Sequence, residues 1–297
     1  MDKRILGLLA ALLATSIFGF NHTIAKELMP DVLSPNALLY CRVFGAAVLF
    51  WFISFFLKWE KVEIKDFKLI VICAFFGMGL NMITSLHGLY NSTPINSAII
   101  TTLAPIFIFL ISVIIINEKI TKRKYLGVFI GFCGTLTLIL LNEKSVINAP
   151  NINLGNFYFF INSLSYALYF VLVKPLTKKY NMITIMKWLF LFSIFINMPF
   201  GLIEFSQINW VEISGTSLLK VSYVVICTTF LVYLLNLYAL KKLKASTVGM
   251  FIYLQPVIGI LFAIYRGADK LTLADISSVL LVFTGVYLVS KKTSKAT

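Results

Sequence analysis

The chain has 297 residues, of which 59% are hydrophobic and 13% charged, with a formal net charge of +14 and a mean hydropathy of +0.91. Soluble domains carry about 45–50% apolar and about 25% charged residues, so this balance argues against a soluble globular protein, a disordered chain and a nucleic-acid binder. The four cysteines, Cys41, Cys73, Cys133 and Cys227, sit inside apolar runs without metal-ligand spacing and read as small buried hydrophobes.

In chain order, ten windows are long and apolar enough to cross a bilayer, which takes about 20 residues of helix. They fall at 5–25, 36–57, 68–90, 94–116, 124–141, 155–173, 183–203, 219–240, 245–265 and 273–290. The first follows Lys3-Arg4 and runs on past the short apolar stretch of a signal peptide, so it reads as an uncleaved span. Connecting turns carry Pro, Asn and Ser, as in Met29-Pro30-Asp31, Asn91-Ser92-Thr93-Pro94 and Asn148-Ala149-Pro150-Asn151. The apolar runs are continuous rather than alternating, which argues against a transmembrane barrel.

Basic residues orient the spans. With the amino terminus cytoplasmic, the inner segments hold Lys3, Arg4, Lys58, Lys61, Lys65, Lys68, Lys119, Lys122, Arg123, Lys124, Lys174, Lys178, Lys179, Lys187, Lys241, Lys242, Lys244, Lys291, Lys292 and Lys295. The outer segments hold only Lys26, Lys144, Lys220, Arg266 and Lys270. This asymmetry predicts both termini in the cytoplasm of a cytoplasmic-membrane protein, and it accounts for the high pI as a topology signal, without nucleic acid.

The halves repeat. Leu103-Ala104-Pro105-Ile106 matches Leu254-Gln255-Pro256-Val257, Glu118-Lys119-Ile120-Thr121 matches Asp269-Lys270-Leu271-Thr272, and Phe132-Cys133-Gly134 matches Phe283-Thr284-Gly285, all at an offset of 151. Leu6-Gly7 matches Leu154-Gly155, and Lys26 matches Lys174, at an offset of 148. Five spans per copy is odd, so the second copy enters the membrane inverted. The basic run Lys122-Arg123-Lys124 accordingly becomes Leu273-Ala274-Asp275 in the second copy. The predicted fold is an all-α integral membrane protein, ten transmembrane helices as two inverted five-helix repeats around a central cavity. The domains are 1–141, an outer linker 142–154, 155–290 and a basic tail 291–297. Inverted repeats are a recurring plan for secondary transporters, in which two related halves rock around a central site. The plainer alternative is that duplicated helices pack well.

The chain resembles the EamA-type transporters of the drug/metabolite transporter superfamily over essentially its whole length, in two units at about 5–141 and 155–290. The resemblance is carried by Ile17-Phe18-Gly19-Phe20-Asn21 through Lys26, by Arg42, by Ala98 to Pro105, by Asn117-Glu118-Lys119-Ile120-Thr121, and by Gly127, Gly131 and Gly134. In the second half it is carried by Lys244-Ala245-Ser246-Thr247, Gln255-Pro256 and Asp269-Lys270-Leu271-Thr272. The family usually has Glu where Asp269 stands, and Gly where Ala268 stands. The resemblance implies a ten-helix bundle with a central cavity, and export or exchange of small metabolites across a bacterial cytoplasmic membrane.

Ionisable groups inside a bilayer are costly and point to function. All acidic residues fall at span ends or in loops, which leaves no mid-membrane carboxylate for a proton relay. Arg42 has two readings: an outer vestibule that attracts a carboxylate or other anion, or a side chain that snorkels or pairs with carbonyls to fix two helices. His22 and His87 are packing histidines or proton carriers. Polar stripes are the stronger site signal. Asn162, Tyr166 and Tyr169 share one helical face, Thr229, Tyr233 and Asn236 another, and Asn81 with Ser85, and Thr15 with Gly19 and His22, repeat the spacing. Such stripes line a cavity or bond across helices. The expected substrate-binding set is His22, Arg42, Asn81, Asn162, Tyr166, Tyr169, Tyr233 and Asn236. Pro105 and Pro256 break equivalent spans, each freeing a carbonyl four residues earlier at Thr101 and Ile252, and are the expected hinges; a static bend is the alternative. Glu118 and Asp269 read as caps or lysine partners, and the fifth and tenth spans as scaffold.

The reading is therefore a secondary carrier for a small polar or amphipathic metabolite, amino-acid-like solutes favoured. Its partners are that small-molecule substrate, the lipid bilayer and a coupling ion or counter-substrate; a homodimer is allowed, and no cofactor or metal is expected. The alternatives are a non-transporting sensor or accessory subunit and, furthest from the sequence, an intramembrane enzyme. No HExxH, GxSxG or intramembrane Asp pair supports the last.

Overall fold

The computed structural model describes residues 2–92, 97, 100–118, 121–141, 150–258 and 273–290, with the side chains of residues 22, 135, 138–141, 273–275 and 290 outside that description. Among the described residues there are ten helices and no strand. They are α1 (Lys3–Leu28), α2 (Pro35–Phe55), α3 (Ile64–Asn91), α4 (Leu103–Ile116), α5 (Lys122–Leu141), α6 (Ile152–Lys179), α7 (Met182–Ser206), α8 (Gly215–Lys242), α9 (Ala245–Ile258) and α10 (Leu273–Ser290). Each of the ten expected spans overlaps one of these helices, six of which are long and apolar enough to cross a membrane; residues 94–96, 98–99 and 259–265 of the expected spans lie outside the described residues. Residues 142–149 of the expected linker 142–154, the tail at 291–297 and Asp269 lie outside the described residues; the last three residues of that linker, 152–154, already belong to α6.

Helix starts follow local chemistry. Ser34 accepts from the backbone N–H of Ala37 at 3.0 Å, with Pro35 in the first turn of α2. Asn151 accepts from Leu154 at 3.1 Å at the head of α6, Asn181 from Ile183 at 3.0 Å at α7, and Ser214 from Ser217 at 3.3 Å at α8. Helix α4 stops at Asn117, whose φ of 49° is left-handed, and the N–H of Glu118 then reaches back to the Ser112 carbonyl at 3.0 Å.

The repeat is visible in which helices touch. Helix α1 packs on α8, and α6 packs on α3, so the first helix of each half meets the third of the other. The pairs α2–α7, α4–α9 and α5–α10 join equivalent helices. Exchanging the halves leaves this pattern unchanged, which is the signature of a two-fold relation between the copies; with five helices in each, it fits the expected inversion.

Details obey the same exchange. Lys26 Nζ donates to the carbonyls of Leu89 (2.6 Å), Tyr90 (3.2 Å) and Ser92 (3.4 Å), satisfying the C-terminal end of α3. Its counterpart Lys174 donates to the carbonyls of Leu240 and Leu243 at the end of α8. A cation on orphan helix carbonyls answers both their hydrogen-bonding need and the helix dipole. Gly7 abuts Lys242 and Leu243, and Gly155 abuts Asn91 and Ser92; a Cβ at either would come within 2.9 Å of its neighbours.

Helices α3 and α8 each carry one π-helical stretch, Phe75–Leu80 and Tyr223–Leu231. The proline-bearing helices break alike. A turn at Thr102 precedes Leu103-Ala104-Pro105, and a 3₁₀ stretch, Met250–Tyr253, precedes Leu254-Gln255-Pro256. Both irregularities remove or displace intrahelical hydrogen bonds, a cost tolerated in a membrane where the freed backbone faces protein or a cavity.

Helices α5 and α10 pack face to face through glycine. A Cβ on Gly285 would stand 2.6 Å from the Gly127 carbonyl oxygen, and one on Gly134 2.6 Å from Leu281 Cβ. Backbones this close leave room for no side chain, as small-residue packing in membranes requires.

Candidate functional site

Between the halves lies a cavity of about 70 Å³, lined from α1, α2, α3, α4, α6, α8 and α9. Its walls combine apolar surface (Ala14, Phe18, Met82, Phe170, Val232) with a polar set: Thr15, Arg42, Asn81, Ser85, Thr101, Asn162, Tyr166, Tyr233, Asn236 and Gln255. Among the described residues no Asp or Glu lines it.

The polar stripes do two things at once. Asn81 Nδ2 donates to the Asn162 carbonyl at 3.2 Å, and Asn162 Nδ2 donates to the Asn81 carbonyl at 2.7 Å, a reciprocal clasp of α3 on α6. Asn236 Nδ2 donates to Tyr166 Oη at 3.3 Å, joining α8 to α6. Tyr233 donates to the Gly77 carbonyl at 3.1 Å, inside the π-helical stretch of α3. These bonds fix the positions of the same side chains that border the cavity. Lining and interhelical bonding are therefore one arrangement here, not alternatives.

Arg42 is 2% exposed. Its Nε–H donates to Thr229 Oγ1 at 2.9 Å, and Thr229 in turn donates to the Val224 carbonyl at 2.7 Å. Val224 is five residues back, so the π-helical winding of α8 sets the aim of Thr229 and, through it, of the guanidinium. No carboxylate among the described residues pairs with Arg42. Its Nη nitrogens make no bond to a described residue, and the residue borders the cavity.

Of the expected binding residues, the cavity thus brings together Arg42, Asn81, Asn162, Tyr166, Tyr233 and Asn236. Tyr169 stands outside the lining: it is 2% exposed and packed on Tyr233 at 6.0 Å between centroids, with Gly77 against its ring edge. The side chain of His22 lies outside the described residues. His87 is also away from the cavity, where its Nε2 bonds Asn36 Oδ1 at 2.8 Å; Asn36 Nδ2 donates to Glu204 Oε1 at 2.7 Å. Pro105 and Pro256 sit just behind the wall. The residues whose carbonyls they free, Thr101 and Ile252, both border the cavity, one from each half.

Sequence reasoning left Gln255 and Thr101 out of the expected set. The signal for Gln255 was a lone amide in an apolar run beside a proline, which a membrane helix rarely turns toward lipid. At the end of the bundle that the lysines assign to the cytoplasm, Glu118 pairs with Lys124 at 3.2 Å and accepts from the Ser246 hydroxyl. Lys124 also donates to Ser246 Oγ at 2.7 Å. Both charged side chains are only 5% exposed, so Glu118 is a partner within a buried network that ties the α4–α5 corner to the head of α9.

Comparison with known proteins agrees with this architecture. The model of the EamA-like transporter family matches twice, over residues 5–140 and 153–291. An uncharacterized transporter of Archaeoglobus fulgidus is 29% identical, over 94% of this chain and 97% of its own length. The uncharacterized transporter YyaM of Bacillus subtilis is 26% identical, over 96% of this chain and 95% of its own. A crystal structure superposes with a TM-score of 0.73 at 16% identity, covering 97% of this chain and 96% of the other, a likeness of fold alone.

Proposed function

The chain belongs to the EamA-like transporter family, and we propose that it is a secondary carrier that moves a small polar or amphipathic solute, amino-acid-like in size and polarity, by alternating access. The observation that carries this reading is the cavity's position: it is lined by both halves, with polar groups from each. A pocket so placed is exposed to one side or the other when inverted halves rock. The volume of about 70 Å³ suits a small solute, since one water needs about 10–15 Å³ by the same kind of measure.

In this proposal the protein resides in a cytoplasmic membrane with both termini inside, and it exports or exchanges its solute. The paired irregularities support the rocking. The proline breaks of α4 and α9 and the π-helical stretches of α3 and α8 come in equivalent pairs around the cavity. A motion that opens one end by bending one member of a pair closes the other end by relaxing its counterpart. The test is flux into proteoliposomes that contain this chain alone, loaded with a broad metabolite panel. Saturable counterflow of at least one small polar solute is the expected result. Absence of flux with folded, correctly inserted protein would contradict the proposal, and ligand binding without flux would point instead to a membrane sensor.

A further inference from the structure

Building on the carrier reading, we propose that the solute carries a carboxylate and docks it on the Arg42 guanidinium, with Thr229 as the residue that positions the guanidinium. Three observations support this.

First, Arg42 is a buried cation on the cavity wall, its Nε held by Thr229 at 2.9 Å and its Nη nitrogens without a partner among the described residues. A buried charge is costly unless paired, and a guanidinium offers parallel N–H groups that match a carboxylate in a two-point contact. Second, among the described residues no Asp or Glu lines the cavity, so none of those side chains supplies the missing negative charge. The incoming solute is the remaining source. Third, the free hydrogen-bonding capacity of the cavity includes further donors. The Tyr166 hydroxyl accepts from Asn236 at 3.3 Å, and its own proton makes no bond to a described residue. Arg42 Nη and Tyr166 thus both offer N–H or O–H groups to an acceptor-rich solute.

Neutral amides cannot repay the isolated cation, and an amine-bearing cation would be repelled by it. An ammonium group is tolerated only on a solute that also has the carboxylate. The preferred class is therefore small monocarboxylates, with zwitterionic amino acids admitted through the same group.

Two matched pairs test this with the purified full chain: lactate against lactamide, and alanine against alaninamide. Each pair exchanges a carboxylate for a carboxamide at nearly constant size. Ligand-linked thermal stabilisation reads binding without requiring transport. Each acid is expected to half-saturate at a concentration at least about tenfold lower than its amide. In Arg42→Gln the acid preference disappears. Thr229→Val keeps the charge but releases Nε, and it weakens both acids while leaving the amides unchanged. The wild-type comparison needs no variant to fold.

Equal binding of acid and amide, no shift with either acid, or a preference that survives Arg42→Gln would each overturn the proposal. The carrier reading is judged separately by flux. Counterflow of uncharged solutes without acid preference sinks the carboxylate site and leaves the carrier standing; acid binding without flux does the reverse.

Discussion

Eight residues past its N-cap, α2 carries Arg42, while at the same step past its own N-cap α7 carries the buried Leu189. At the helix ends the halves show the opposite behaviour. Lys26 and Lys174 hold equivalent carbonyls, Gly7 and Gly155 meet equivalent turns, and the π-helical stretches and proline breaks recur in register. The frame is thus duplicated and the cavity fittings are not. This is what physics asks of a two-state carrier. The two end states need similar energies, so the parts that bend must match. The solute, by contrast, has no two-fold symmetry, and a mirrored second arginine would add like-charge repulsion in a cavity without acids.

That contrast can be broken, beginning with the frame. The largest expected effect is on folding. Gly285→Leu drives a side chain into the backbone of α5, where even a Cβ would lie 2.6 Å from an oxygen. Overpacking of this kind costs about 3 kcal/mol or more, read as loss of monodisperse protein and a collapsed thermal midpoint. Gly134→Leu, on the other side of the same contact, should do the same. Folded protein from either variant would mean that α5 and α10 are less tightly joined than described.

The lysine caps come next. Lys26→Met and Lys174→Met each strip a donor from orphan helix carbonyls, a loss of about 1–3 kcal/mol apiece. Equal falls in thermal midpoint sharpen the symmetry; a large fall in one with none in the other breaks it. The smallest effects belong to the fittings. Tyr166→Phe and Asn236→Ala remove the same Asn236–Tyr166 bond, worth about 1 kcal/mol, and each takes a polar group from the cavity wall, for about fivefold in transport rate. The thermal midpoint should fall by no more than about 2–4 °C. A fall in stability with unchanged flux would make these side chains interhelical glue and nothing more.

Much of the frame was legible in the sequence because it is written in local terms. Ten apolar runs, Ser and Asn ahead of several of them, and prolines at a constant offset need no knowledge of partners. The stripes of α6 and α8 were legible for the same reason: Asn162 with Tyr166, and Tyr233 with Asn236, are one turn apart on one helix. Tyr169 shows the limit. It shares the azimuth of Asn162, but lies about 10 Å further along the axis at 1.5 Å per residue. At that depth Gly77 lets its ring close against α3. A helical wheel has an angle and no depth.

The π-helical stretches left no mark in composition, since the wider winding is set by packing across α3 and α8. Thr229 appeared in a stripe, yet its role as the holder of Arg42 depends on a contact between residues 187 positions apart. Arg42 itself was open between a structural and a binding role. Its bond to Thr229 joins α2 to α8, as the structural reading expects, and the carboxylate site proposed above adds the binding reading to it.

The central claim is that solute crosses through the seam between two inverted halves. The most direct test is alkylation of a single cysteine at Ser85, on the cavity wall, in a chain whose Cys41, Cys73, Cys133 and Cys227 are replaced by alanine. A membrane-impermeant thiol reagent is applied from one side of sealed vesicles and then, in parallel, from the other. The account predicts labelling from both sides, with saturating solute shifting the balance between them. Labelling from one side only, whatever solute is present, would contradict it.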